Sequence, residues 1–300
     1  MDAVGTTLNS VLPAFFLIAV GILAGRLFPA LDMNTLTRLT VYFMIPALVF
    51  GAIVSTTLTL SAASLIALAY LLYLLVLAVL SALGSRGLTL TQQRGMMVTS
   101  LFGNTGNMGL PITLFAYGSE GLDRGVVIFV LSLILMFAAG PTLLAGEAGL
   151  GERVRAAAKL PPIWAALAGL GVNLLALPLP LSLTRGLSLL GDAAIPVMLL
   201  SLGVQVYRSW VWDVDALALR ASFYRLVASP LVAYAVGAAL GLRGLDLSVL
   251  VLMAAMPSAV TMFVVAVEVK GDYEGIARTV VATTLGSLAV IVAVIFFMPS

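Results

Sequence analysis

Residues 102–112 read FGNTGNMGLPI and decide the fold, because they place three glycines, two asparagines and a proline within a long apolar segment. No continuous helix favours this composition, since an interior Pro costs about 3 kcal/mol and each Gly about 1 kcal/mol. Unwound backbone is tolerated in hydrocarbon only where it lines a cavity or is buried in protein. The stretch therefore predicts a transmembrane helix that is broken at mid-depth.

The composition of the whole chain also indicates a membrane protein. Of its 300 residues, 62% are hydrophobic and 9% are charged, against roughly 25% charged in an ordinary soluble domain. A soluble globule this apolar could not cover its surface with polar groups, so lipid must be the solvent for much of the chain. The net charge of only +2 argues against a nucleic-acid partner.

The chain contains no His and no Cys. This excludes disulfides, Cys/His zinc sites, Cys nucleophiles, and His general bases such as those of Ser–His proteases. An aspartyl intramembrane protease needs two aspartates, and Asp192 has no second aspartate at mid-membrane depth. We therefore expect no enzyme, no metal site and no cofactor, while coupling to H⁺ or Na⁺ stays open.

The apolar segments have the lengths of membrane spans. A transmembrane helix needs about 20 mainly apolar residues. The charge-free run 39–85 is too long for one crossing, and the segment 55–61, STTLTLS, divides it as a turn. We predict an all-α membrane protein with ten transmembrane helices at 8–27, 35–53, 62–83, 94–117, 125–146, 161–177, 184–206, 216–241, 246–269 and 275–297.

Prolines recur at matching places in two halves of the chain, at offsets of 146 to 150 residues. The matched pairs are Pro13 with Pro162, Pro46 with Pro196, and Pro111 with Pro257. We predict a first five-helix repeat in 1–147, a basic cytoplasmic loop in 148–160, and a second five-helix repeat in 161–300. Because each half has an odd number of spans, the second half is inverted, an arrangement typical of secondary transporters.

The distribution of Lys and Arg predicts the orientation, since cytoplasmic loops carry an excess of both. One set of helix ends carries Arg26, Arg38, Arg86, Arg94, Arg153, Arg155, Lys159, Arg208, Arg220, Lys270 and Arg278. The opposite set carries only Arg124, Arg185 and Arg243. We therefore expect both termini outside, in a multi-pass protein of the cell inner membrane.

The ninth span is interrupted like the fourth, because residues 253–261 read MAAMPSAVT. Pro is favoured at the first position of a helix, so we expect Pro111 and Pro257 each to begin a half-helix at mid-membrane. Each helix N-terminus carries about half a positive charge and attracts anions. The predicted substrate-binding residues are Asn104, Thr105, Asn107, Gly109, Pro111, Pro257, Ser258 and Thr261.

Two charged residues fall well inside predicted spans, where a functional role is the default hypothesis. Asp192 could bind a coupling proton or cation, or it could pair with an Arg. Arg225 is the candidate partner, and it could instead act as a counter-charge for an anionic substrate or extend toward the inner surface.

These motifs resemble the auxin efflux carrier family, whose members export auxin in plants or move small carboxylates in bacteria. The resemblance rests on residues 104–111, NTGNMGLP, on 256–260, MPSAV, with 268–272, EVKGD, and on 190–196, LGDAAIP. It implies a fold similar to bile-acid symporters and NhaA, in which broken helices 4 and 9 cross, and it implies a homodimer. It also implies that Asn104 and the backbone around Pro111 and Pro257 contact the substrate.

The leading functional hypothesis is a secondary transporter that moves small organic anions through the lipid bilayer by alternating access. The substrate would bind where the two broken helices cross. An anion channel, or a receptor or scaffold that transports nothing, is the alternative.

Overall fold

A computed structural model describes residues 3–145, 151, 155, 158–208, 215–268 and 271–298. In this part of the chain the regular structure is helical, and the β-pairing is one antiparallel bridge between Gly103 and Ser258. The first helices are α1 (Ala3–Leu27), α2 (Met33–Leu39), α3 (Ile45–Ser55), α4 (Leu60–Gly84), α5 (Leu90–Leu101) and α6 (Leu110–Ala145). They are followed by α7 (Pro161–Leu174), α8 (Leu181–Arg208), α9 (Ala216–Phe223), α10 (Ser229–Ala239), α11 (Gly244–Ala254), α12 (Val260–Glu268) and α13 (Tyr273–Phe297).

Three π-helical turns join consecutive helices. They are the first π-turn (Thr40–Met44), the second (Thr105–Gly109) and the third (Tyr224–Ala228). Within the described residues, six helical stretches are long and apolar enough to cross a membrane, and three apolar helices are shorter. The count of ten spans and the inverted repeat stay predictions.

The predicted turn between the second and third spans is confirmed, because α3 ends at Ser55 and α4 begins at Leu60. The predicted break between the fourth and fifth spans is confirmed at Gly118, whose backbone is not helical (φ 68°, ψ −162°) and suits glycine. Two helical segments of α6 meet there, and residues 119–124, predicted as loop, are helical. Most of the predicted loop 148–160, with Arg153, lies outside the described residues, as does Lys270.

Pro46 and Pro196, which the sequence predicts to correspond, lie in different structural settings. Pro46 lies at the start of α3, directly after the first π-turn, and Pro230 follows the third π-turn in the same way. A proline lacks the N–H and clashes with the carbonyl four residues earlier, and the wider π-turn relieves both effects. Pro196, the predicted counterpart of Pro46, lies inside continuous α8.

Helices α1, α3, α7 and α8 form one packed group. Helix α1 crosses α8 at two glycines, because a Cβ on Gly203 would lie 2.1 Å from the Ile18 carbonyl oxygen and one on Gly21 would lie 2.2 Å from that of Leu200. Helix α3 packs on both α7 and α8. Helices α4, α5, α6 and α9–α13 form a second group, in which α4 packs on α10, and α11 on both α6 and α10. The cavity described below lies where the two groups meet.

Polar residues begin several helices. Asp32 caps α2 by accepting hydrogen bonds from the Thr35 hydroxyl and from the N–H groups of Asn34 and Thr35. These bonds hold the pKa of the Asp32 carboxyl below its ordinary value. The bond from the Thr35 hydroxyl has the largest effect. Thr89 and Gln92 form a capping box that begins α5.

Candidate functional site

Two interrupted helices cross at the centre of the molecule. Helix α5 ends at Leu101, and α11 ends at Ala254, and each is followed by a short extended segment. The Asn104 N–H donates to the Pro257 carbonyl at 2.7 Å, and the Ala259 N–H donates to the Phe102 carbonyl at 2.9 Å. The two extended segments therefore run antiparallel, and they provide hydrogen bonds for backbone groups that lie outside any helix.

The expectation that Pro111 and Pro257 are the first residues of half-helices is wrong. Helical geometry resumes at Thr105, in the second π-turn, so that Pro111 already lies inside α6. Pro257 lies in the extended segment, and α12 begins only at Val260. The carbonyl of Pro257 accepts the bond from Asn104, so this residue belongs to the crossing and not to the helix after it.

A partly open cavity of about 440 Å³ lies beside the crossing. Its walls include residues 103–107, which lead into the second π-turn, and residues 259–261, which lead into α12. The first N–H groups of a helix have no acceptor within that helix. The N–H groups of Asn104 and Ala259 bond across the crossing and that of Thr105 bonds the Gly103 carbonyl, so the donors that two helix starts offer to this space are those of residues 106–107 and 260–261. Among the described lining residues Arg208 is the only charged one. Apolar side chains supply much of the remaining wall, including Phe129, Leu133, Met136 and Phe137.

Four of the eight predicted binding residues line this cavity, namely Asn104, Thr105, Asn107 and Thr261. Asn104 is only 6% exposed, and its Nδ2 has no hydrogen-bond partner among the described residues. A buried polar group without a partner is costly. This amide is therefore available to a ligand.

The other four predicted residues support the crossing from behind. Ser258 donates its hydroxyl to the Thr99 carbonyl at 2.8 Å, and its N–H donates to the Thr283 hydroxyl at 3.1 Å. A Cβ on Gly109 would lie 2.8 Å from the Met253 sulfur, so glycine permits close packing of the second π-turn against α11. Pro111 and Pro257 are buried and are not among the residues lining the cavity.

Arg225 is 1% exposed and lies behind the crossing. Its Nη1 donates to the carbonyls of Ser100 at 2.9 Å and Leu101 at 3.1 Å, and its Nη2 donates to the carbonyl of Ala254. These are the last carbonyls of α5 and α11, where each helix dipole is negative. The guanidinium therefore caps the carboxyl ends of both half-helices at once.

Arg225 also lies close to the cavity without lining it. A Cβ on Gly103 would be 3.1 Å from its Nη2, so the guanidinium is separated from the cavity wall by one glycine. The structure pairs Arg225 with no acidic side chain among the residues it describes. Its positive charge is therefore a fixed source of positive potential beside the N-terminal ends that line the cavity.

Asp192 lies at a different place. It lines a second cavity of about 260 Å³ between α3 and α8, together with Asp123 of α6. Asp192 is exposed, and Arg225 is buried among backbone carbonyls at the crossing. The alternative in which Asp192 pairs with Arg225 is therefore wrong.

Sequence reasoning missed three residues of α8 that line the larger cavity, Ser201, Gln205 and Arg208. Their spacing of four and three residues puts them on one face of a helix. The sequence could have indicated this face, because polar side chains that recur with helical periodicity in an apolar span mark a face that does not contact lipid.

Comparisons with known proteins identify relatives among membrane transport proteins. The sequence model of a family described as "Membrane transport protein" matches residues 6–151 and 147–298. The chain is 31% identical to an "Uncharacterized transporter" of Methanothermobacter thermautotrophicus, over 96% of this chain and 94% of that protein. It is 28% identical to a "Putative malonate transporter" of Rhizobium meliloti, over 97% of this chain and 95% of that protein.

Proposed function

The chain belongs to the membrane transport protein family, and we propose that it is a secondary transporter of small organic anions, specifically carboxylates. Membership makes it a multi-pass transport protein and not an enzyme.

The observation that carries the proposal is the pair of helix N-termini at one cavity. The second π-turn and α12 both begin there, and no acidic side chain is among the described residues that line the space. Two N-termini, with the charge of Arg225 behind one of them, favour an anion without a cation in direct contact. The Asn104 amide adds a donor that has no partner in the described part of the chain.

A carboxylate is the anion that this arrangement and the name of one relative favour together. Malonate, named for the Rhizobium meliloti relative, is a small carboxylate. Backbone N–H groups and an amide can bind a carboxylate through short charge-assisted hydrogen bonds. The apolar side chains of the cavity would contact the carbon skeleton.

The positions of the two cavities support alternating access. The larger cavity lies near the start of α2 and the end of α8, and the smaller one lies near the end of α3 and the start of α8. They therefore lie toward opposite ends of α8, and residues of the crossing line the larger cavity. With both termini outside, as the basic residues predict, the larger cavity faces the cytoplasm. That orientation, the inner-membrane location, a homodimer, and an ion-coupling role for Asp192 stay predictions.

Substitution of Asn104 tests the proposed site. In proteoliposomes that contain the purified full chain, we expect Asn104→Ala to weaken malonate binding about tenfold or more, because a hydrogen bond to a charged group contributes about 1.5–3 kcal/mol. Uptake of labelled malonate should fall accordingly. Asn173→Ala is the matched control, because the Asn173 amide bonds the carbonyls of Val54 and Thr56 and does not line the cavity.

Two results would contradict the proposal. Unchanged malonate binding and uptake in a folded Asn104→Ala protein would refute the site. Failure of the wild-type protein to bind malonate or any carboxylate in a broad panel would refute the substrate class.

A further inference from the structure

Helix α8 presents a polar stripe to the larger cavity. Ser201, Gln205 and Arg208 all line it. With a rise of 1.5 Å per residue, the stripe extends for roughly 10 Å along the helix axis. Helix α8 also packs against the second π-turn, so the stripe begins near the crossing and ends at Arg208.

Two side-chain atoms of this stripe lack hydrogen-bond partners among the described residues. The Ser201 hydroxyl belongs to a residue that is 6% exposed, and neither this hydroxyl nor the Gln205 Oε1 has a partner among the described residues. Hydroxyls inside membrane helices commonly bond the carbonyl four residues earlier. Thr279, Thr283 and Thr284 of α13 do so, at 2.7–2.9 Å. Other helix hydroxyls in the described part of the chain, such as that of Ser81, also lack a partner, but among them Ser201 is the one that lines the cavity.

The cavity thus has unpartnered polar groups on two walls. Asn104 stands on the wall formed by the crossing, and Ser201 and Gln205 stand on the wall formed by α8. Much of the remaining lining is apolar, for example Phe129, Leu133 and Met198. A simple monocarboxylate held at the crossing would satisfy the first wall and leave the second one unpaired.

We propose that Ser201 and Gln205 form a second subsite, which binds a second oxygen-bearing group of the transported carboxylate. This inference rests on the proposed function, since it assumes that the carboxylate itself binds at the crossing. The hydroxyl and the amide can each donate and accept hydrogen bonds, so they suit a hydroxyl or a second carboxylate. Arg208, at the far end of the stripe, adds positive charge on the same side. Its Nη2 is oriented by the carbonyls of Pro29 and Leu31, at 3.0 and 2.8 Å.

Matched pairs of ligands test the subsite. The probes are linear monocarboxylates of three to eight carbons, each compared with the ω-hydroxy acid and the α,ω-dicarboxylate of equal length. Binding is measured by calorimetry on the full chain in nanodiscs. We expect the polar-ended probe to bind about tenfold more tightly than its monocarboxylate at one or more lengths. Gln205→Leu and Ser201→Ala should remove that advantage while leaving affinity for the monocarboxylate nearly unchanged.

Two further variants control for indirect effects. Ser81→Ala removes another buried hydroxyl that lacks a partner in the described part of the chain, but Ser81 lies on α4 and does not line the cavity, so the advantage should persist. Gln205→Glu should weaken the dicarboxylate more than the ω-hydroxy acid, because the new carboxylate repels a second negative charge. Thermal unfolding of each variant checks that it is folded.

The outcomes separate this proposal from the one on which it rests. If carboxylates bind and depend on Asn104, but no polar-ended probe exceeds its monocarboxylate, the second subsite is wrong and the transporter proposal stands. The subsite is equally wrong if Gln205→Leu weakens both members of each pair alike. If the wild type binds no probe, or if Asn104→Ala changes nothing, both proposals fail.

Discussion

Replacing Arg225 removes the charge that joins the two broken helices. In Arg225→Met the side chain keeps similar length and apolar character but donates no hydrogen bonds. The carbonyls of Ser100 and Leu101 then lose the guanidinium as donor, and the carbonyl of Ala254 keeps only the bond from the Ser229 hydroxyl. All three are buried at helix carboxyl ends, where water cannot easily replace the guanidinium.

The size of the effect can be worked from these contacts. A hydrogen bond to a charged group contributes about 1.5–3 kcal/mol, so three of them sum to roughly 4–9 kcal/mol. Removing the buried guanidinium also removes its desolvation penalty, which is several kcal/mol. Removing one partner of a buried, charged interaction typically costs about 3–5 kcal/mol, and we expect a loss of this size in the free energy of unfolding. For a large domain this corresponds to a fall in Tm on the order of 10 °C.

Thermal unfolding of the purified variants in detergent measures this loss. Arg225→Lys keeps the charge but lacks the planar fork that reaches several carbonyls, so its Tm should lie between those of wild type and Arg225→Met. Arg243→Met is the matched control, since Arg243 is exposed at the start of α11, and its Tm should stay within about 2 °C of wild type. If Arg225→Met unfolds at the same temperature as this control, the guanidinium does not hold the crossing together.

Two further predictions concern other parts of the fold. Gly203→Ala should cost about 1–3 kcal/mol in free energy of unfolding, because its Cβ would lie 2.1 Å from a carbonyl oxygen of α1. Gly186→Ala in the same helix should be neutral or stabilising, because a Cβ there meets no described atom within 4 Å, and equal losses in both would refute the close crossing of α1 and α8. The lowered pKa of Asp32 means that its cap contributes stability above the ordinary carboxyl pKa and loses it as pH falls through the lower folded-state value. Amide hydrogen exchange across α2 should therefore accelerate, relative to the intrinsic exchange rate, as pH falls below about 4. In Asp32→Ala, which lacks the cap, this acceleration at low pH should be absent.

The sequence was informative where composition alone decides the backbone. Residues 102–112 could not form a regular helix, and the structure interrupts the helix at Phe102–Asn104 within that stretch. The register of the break could not be predicted. It depends on the bond from Asn104 to the Pro257 carbonyl, a contact between residues far apart in the chain. The usual preference of proline for the first helical position therefore gave the wrong residue in both segments.

The surroundings of the charged residues were equally hard to predict. A buried Arg225 suggested a carboxylate partner, but its acceptors are backbone carbonyls of α5 and α11, which no side-chain pattern indicates. Asp192 lies on the same helix as Ser201 yet lines the other cavity. Tertiary packing decides which end of a helix borders which cavity, and the periodicity of the sequence does not reveal it.

The paired backbone bonds between the extended segments fix more than the shape of the crossing. Successive residues of an extended chain point to opposite faces, so a slip of one residue would turn Asn104 away from the cavity and bring its neighbour into its place. The reciprocal bonds from Asn104 to Pro257 and from Ala259 to Phe102 oppose such a slip. The crossing therefore holds together two parts of the chain that are distant in sequence. Any movement that carries α5 must carry the start of α12 with it, so the two donor sets would reorient together.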